Sequence, residues 1–252
     1  MTGICGLCKE EKKLCHSHII PEFFYKNIYD HYGRFYEIST DEDSRVNFEQ
    51  KGAREYLFCE DCEQHLNTNE TYVNQFFFGR TEIDMTIYDE YAVVENADYK
   101  KFKLLQLSIL WRASITSHSF FRDVDLGEEV EKQLREMILE EEPGDPSFFG
   151  CNINMIKLPK GLDANFFTSP DIFEKDDKLA YRFVFSNMVW IFFDPESKID
   201  ESIEQTFIKP DGQIIINQME FQQLPFLTEF VKELKEAGKL EEVAKFTKKE
   251  ET

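Results

Sequence analysis

Cys5-Gly6-Leu7-Cys8 and Cys59-Glu60-Asp61-Cys62 bracket a third short segment, His16-Ser17-His18-Ile19-Ile20-Pro21. Each C-x₂-C pair can chelate one edge of a tetrahedron, so the two pairs form the four-thiolate set of a closed structural zinc site. Fifty residues separate the pairs, more than a compact zinc ribbon uses. That insert is long enough to carry its own hairpin and a working site. A metal closing the loop would hold His18 near the helix that follows the second pair.

The competing reading of paired cysteines is a redox or disulfide framework. Met1 to Leu7 has no basic region followed by an apolar run, so no export signal is expected. The longest strongly apolar run, Phe183 to Phe193, is broken by Ser186 and Asn187. It falls short of the roughly 18 residues of a membrane span. The expectation is a cytoplasmic protein, and in a reducing compartment C-x₂-C pairs favour metal over disulfides. Cys15 and Cys151 have no partner by spacing. Cys15 can compete as a ligand, but buried thiols are the simpler reading of both.

The 252 residues allow one large or two small domains, and 25 Phe with 10 Tyr supply material for a packed core. The net charge is −20, from 29 basic and 49 acidic residues. Affinity for nucleic acid comes largely from counterions released by clustered Lys and Arg, so tight, unaided DNA binding is not expected. Long-range attraction should favour a basic protein partner instead.

No internal repeat and no low-complexity linker divides the chain. Residues 1–80 read as a zinc module, with short strands at Phe35–Ile38 and Glu55–Phe58 around a charged Asp41–Ser44 loop. From Cys59 to about Phe78 the period is helical. Residues 81–99 are ambiguous between helix and extended chain. Phe102–His118 reads as a buried helix and Glu128–Glu142 as an amphipathic one, ended by Pro143-Gly144-Asp145-Pro146. Strands follow at Asn152–Leu158, Ala180–Phe185, Met188–Phe193, Gln205–Lys209 and Gln213–Asn217. Ser186-Asn187 and Pro210-Asp211-Gly212 are turn signals. A last helix starts near Leu224 and fades into a charged tail. The class is α+β: a metal module, then a helix and antiparallel-sheet body over residues 81–252. That body has no chemical motif of its own, and reads as a recognition or docking domain.

At about 100° per residue, a helix starting at Cys59 puts Cys62, Glu63, Leu66 and Glu70 on one side and His65 well away from it. The order C-x₂-C, His-Ile-Ile-Pro, C-x₂-C, helix resembles the HNH endonucleases, whose ββα-metal core sits on a treble-clef zinc scaffold. The resemblance covers roughly residues 1–80. It implies that His18 is the general base that activates water. The residue after the last knuckle cysteine, usually His or Asn and here Glu63, would help to hold a catalytic Mg²⁺ or Mn²⁺. The residue before the base is usually a metal ligand, and Ser17 departs from that pattern; His16 or Glu70 can substitute. Asn47 is the candidate for the middle Asn, with Arg45, Gln50 and Arg54 as polar support.

The function so implied is hydrolysis of phosphodiester bonds in DNA. HNH modules commonly work beside a separate ATPase or within restriction and phage-defence systems, which implies a protein partner. The alternative is a non-catalytic, zinc-scaffolded interaction protein with a degenerate site. The ordinary reading of His18 is a buried histidine bonded to backbone or a further zinc ligand. That of Glu63 and Glu70 is a helix-start carboxylate and a solvated face. The sequence pattern makes Phe23, Phe24, Tyr25 and Phe76–Phe78 core residues rather than base-stacking platforms. Arg112 is expected in a helix-to-sheet ion pair, and His118 as a helix C-terminal cap. No P-loop, dinucleotide fingerprint or nucleophile elbow is present.

Overall fold

A computed structural model describes residues 1–26, 29, 34–38, 47–50, 52–79, 82–157, 167–175 and 178–238. The architecture is α+β. The front of the chain runs β1 (Thr2–Ile4), β2 (Glu11–His18), β3 (Arg34–Ile38), β4 (Asn47–Gln50), β5 (Arg54–Cys59) and helix α1 (Glu60–Phe77). Then come β6 (Met85–Ile87), β7 (Tyr91–Val94), α2 (Tyr99–Ile115) and α3 (Gly127–Glu140). The rear holds β8 (Cys151–Lys157), β9 (Phe167–Lys175), β10 (Lys178–Phe185), β11 (Met188–Phe193), α4 (Glu201–Glu204), β12 (Ile214–Glu220) and α5 (Pro225–Glu236).

Two sheets organise these elements. A three-stranded sheet has the order β1-β2-β5, and a nine-stranded sheet the order β4-β3-β9-β10-β11-β8-β12-β7-β6. The insert between β2 and β5 thus sends β3 and β4 into the larger sheet. That sheet is not purely antiparallel, because β12–β8 and β3–β9 are parallel pairs.

α2 is the central helix. Every residue from Phe102 to Ala113 is buried, polar ones included. Its start is set by the Asp98 side chain, which accepts from the Lys101 N–H at 3.0 Å, three residues before the expected boundary. Phe102 stacks on Trp190 of β11, and Phe58 of β5 stacks on Trp111. Phe24 meets the same Trp190 edge-on. One apolar cluster therefore runs from Cys5 and Leu7 through α2 to the large sheet. Phe23, Phe24, Tyr25 and Phe76 are core, while Phe78 is 39% exposed. Inside this apolar setting the Lys103 ammonium donates to the carbonyls of Pro146, Phe148 and Phe149. Burial pulls its pKa down to about 8.

Three expectations change, and one open reading is settled. Gln205–Lys209 is not a strand: it follows α4 as a turn, where Thr206 Oγ1 donates to the Ile203 carbonyl and Phe207 and Ile208 are both buried, so no alternation exists. β9 was not among the expected strands, and it carries a proline, Pro170. The pairing skips between Arg182 and Val184, and this bulge accommodates the proline. His118 does not cap α2, which ends at Ile115; it caps a 3₁₀ turn, Ser119–Phe121, its Nδ1 accepting from the Phe120 N–H at 3.3 Å. The region 81–99 resolves into the β6–β7 hairpin. The Ser186-Asn187 turn is as expected, with both residues at positive φ. Arg45, the Asp41–Ser44 loop and the charged tail lie outside the described residues. No helix among the described residues is long and apolar enough to cross a membrane.

Candidate functional site

Cys5 and Cys8 lie on the turn between β1 and β2; Cys59 ends β5, and Cys62 sits in the first turn of α1. Lys9, at φ 61°, closes the first knuckle, with its N–H on the Cys5 carbonyl at 2.9 Å. Cys59 N–H donates to Cys5 Sγ at 3.3 Å. The four ligand sulfurs lie within 4.8 Å of one another, and Cys8 Sγ to Cys59 Sγ is 4.0 Å. Sulfurs about 2.3 Å from a tetrahedral ion would be about 3.8 Å apart, so the set is positioned to hold a metal ion with little adjustment. Burial pushes the Cys5 thiol up, but N–H groups of Cys59, Cys8 and Leu7 outweigh it and bring it down to about 7. Burial and the neighbouring sulfurs push Cys62 up. Crowded buried sulfurs of this kind gain from a cation among them. Cys15 is half-buried outside the cluster, and burial raises its pKa.

Beside this cluster a cleft of about 370 Å³ opens between the end of β2 and α1. His18, Glu22, Lys26, Glu63, Asn67 and Glu70 are among the residues that line it. The local sequence explains how His18 reaches it. Ile19 and Ile20 are fully buried, and the Ile19 N–H donates to the Ala53 carbonyl at 3.0 Å. Pro21 then opens a 3₁₀ turn, Glu22–Phe24, whose two phenylalanines go into the core. Two apolar anchors and a proline therefore fix the histidine at the strand's end, opposite Arg54 of β5. On α1 the buried stripe is Cys62, Leu66, Asn69, Val73 and Phe76, while Glu63, Asn67 and Glu70 form the adjacent stripe facing the cleft. Leu66 is thus core, and Asn67, which the sequence did not single out, lines the cleft.

Glu63 and Glu70 differ in their surroundings. Burial raises the Glu63 pKa; the nearby Ser17 hydroxyl and the Arg112 guanidinium pull it back, and Glu70 adds to the rise. One Glu63 carboxylate oxygen, Oε1, is shut off from solvent and has no hydrogen-bond partner among the described residues. Glu70 is ion-paired to Arg112 at 2.9 Å. Ser17 is 2% exposed, and its hydroxyl accepts the Phe58 N–H at 3.2 Å.

Of the residues singled out by sequence, His18, Glu63 and Glu70 come together. His16 does not: it is exposed on β2 and stacks on Tyr56, its cross-strand partner, at 4.8 Å. Asn47 lies on β4, opposite Glu37 in the outer pair of the large sheet. His65 faces α3, with Nε2 2.8 Å from the Ile138 carbonyl.

Arg112 is the residue whose part the sequence left unread. Expected in a helix-to-sheet ion pair, it links two helices and the histidine strand instead. It is 3% exposed on α2, and Nη1 donates both to Glu70 Oε1 at 2.9 Å and to the His18 carbonyl at 3.0 Å. Nε and Nη2 are held by Ser108. The guanidinium thus fixes the back of the cleft. Arg112→Ala would leave Glu70 without its partner and remove the donors to the His18 carbonyl, the Ser108 carbonyl and Ser108 Oγ. We expect a loss of about 3 kcal/mol, the scale of breaking a buried pair from one side, measured by urea unfolding. A loss under about 1 kcal/mol would mean that water replaces the guanidinium.

No family model, curated protein or solved structure matches this chain.

Proposed function

We propose that this chain is a zinc-scaffolded, metal-dependent nuclease of the HNH type, hydrolysing phosphodiester bonds in DNA. The observation that carries this reading is the convergence of His18 and Glu63 on one cleft beside the four-cysteine cluster. Four thiolates suit zinc better than a hard cation. The carboxylates of the cleft suit Mg²⁺ or Mn²⁺, and the unpartnered Glu63 oxygen is the kind of hard donor such an ion takes.

The imidazole of His18 accepts a proton from water as that oxygen attacks phosphorus, the role of a positioned general base. Glu63 would hold the ion, and Glu70 would join it by sharing its charge with Arg112. Bound there, Mg²⁺ or Mn²⁺ supplies positive charge at the leaving oxygen. Ser17, where the family pattern has a ligand, supports Glu63 from behind, which narrows the ligand set. The net charge of −20 makes unaided affinity for duplex DNA weak, so a partner that delivers the DNA belongs to the proposal.

A second reading, a non-catalytic interaction protein on the same scaffold, is favoured by Ser17 and by the Arg112–Glu70 pair, which already neutralises one carboxylate. Titrating Mn²⁺ into the zinc-loaded protein separates the two. The nuclease reading expects about one further ion, and Glu63→Gln should weaken its binding at least about tenfold. Absence of a second ion would favour the scaffold reading.

A further inference from the structure

The apolar layer of the large sheet runs out past its cover at the β6 edge. Residues in register on adjacent strands share a face. Ile153, Ile216, Ala92 and Ile87 form one such row across β8, β12, β7 and β6. Their exposure is 0, 6 and 8% for the first three, then 63% at Ile87. A second row, Ile214, Val94 and Met85, goes from 0 and 0% to 48%. Both rows begin in the core and end bare. Tyr88 and Tyr91, stacked at 4.6 Å where the hairpin turns, fall by alternation on the opposite face and are not part of these rows.

The backbone at this edge is open as well. β6 is the terminal strand of the sheet, and among the described residues none pairs with its outer side. Glu95 N–H donates to the Asp84 carbonyl, and Tyr88 N–H to the Tyr91 carbonyl, so the backbone groups of Asp84 and Tyr88 are the ones turned to the β7 side. By the alternation of an antiparallel ladder, the backbone groups of Met85 and Ile87 point outward. Edge strands are commonly blunted by Lys or Pro; Met85-Thr86-Ile87 has neither.

Charge selects the occupant. Glu82, Asp84, Asp89, Glu90 and Glu95 are all exposed around the strand, and residues 82–99 contain no Lys or Arg. Lys157 reaches this corner, donating to the Asp89 carbonyl at 3.2 Å. A second copy added edge to edge would set five carboxylates against five. We infer that β6 is a docking edge for an extended, basic segment of a partner protein. That segment adds as a strand, with apolar residues at alternate positions extending the two rows and Lys or Arg meeting the carboxylates. This inference stands apart from the nuclease reading.

The probes are two labelled decapeptides of equal charge, one alternating Lys and Val, the other Lys and Ser, followed by fluorescence anisotropy. The Lys–Val peptide should bind at least about tenfold more tightly. Ile87→Lys should lower its affinity by about tenfold or more while changing the net charge only from −20 to −19. Ile87→Pro, which removes an outward N–H and leaves the β7 ladder intact, should do the same. At 63% exposure neither change removes a core contact. Failure of both peptides to bind, equal affinity for the two, or no loss in either variant would overturn the inference. So would sedimentation showing a wild-type dimer that Ile87→Lys converts to monomer, because the edge would then serve a second copy.

Discussion

Cys59→Ser is expected to lose the bound zinc, about one equivalent in the wild type, and to unfold the front of the chain. The expected size follows from what the metal holds. Cys59 is 2% exposed where β5 becomes α1, so it joins the three-stranded sheet to the helix that carries Glu63. Its own N–H rests on Cys5 Sγ, which ties the two knuckles together even before a metal is counted. Structural zinc contributes about 10–16 kcal/mol in isolated zinc-finger peptides. A whole domain is stable by only about 5–15 kcal/mol. Losing even about 4 kcal/mol would lower Tm by roughly 10 °C in a chain of this size.

The near-ultraviolet signal of the Phe58–Trp111 stack should disappear with the metal, since β5 carries Phe58. Chelation of the wild type should have the same effect. Cys15→Ser is the control: half-buried and outside the cluster, it should leave zinc content unchanged. A Cys59→Ser protein that melts like the wild type would remove the metal from the account of this fold.

What the sequence revealed depended on how local the signal was. The cysteine spacing needs only covalent geometry and four sulfurs, and all four meet. α1 was legible because its knuckle cysteine fixes the phase, which put Glu63 and Glu70 on the cleft side and His65 elsewhere. His18 was legible because Ile19, Ile20 and Pro21 are core anchors written next to it. Partnership across the chain was not legible. Arg112 lies 94 residues from His18, and its type says only that it needs acceptors, not which. The destination of β3 in the large sheet was hidden likewise, since its partner β9 carries Pro170, which sits where β9 slips register against β10. His16 was a local misreading: two positions from His18 it stays in solvent, because the cleft begins only where β2 ends.

His18→Ala is expected to retain fold and zinc yet lose Mg²⁺- or Mn²⁺-dependent cleavage of DNA by about 10²–10⁴-fold, the scale of a positioned general base. The structure separates these outcomes. Strand placement depends on the buried Ile19 and Ile20 and on the Ile19 N–H to Ala53 bond, none of which uses the imidazole. The His18 carbonyl that Arg112 holds is backbone and survives the substitution. Its ring lies 6.4 Å from that of Tyr25, centroid to centroid, so truncation also costs some packing. That cost should be about 1 kcal/mol, within reach of a folded protein. The assay compares variant and wild type on plasmid DNA with Mn²⁺, with any partner protein present in both arms. Mn²⁺ binding should persist in the variant, because Glu63 remains; loss of cleavage with retention of the ion marks a base rather than a ligand. If wild type and variant cleave equally, His18 is a structural histidine, and the cleft belongs to an interaction protein that keeps the scaffold without the chemistry.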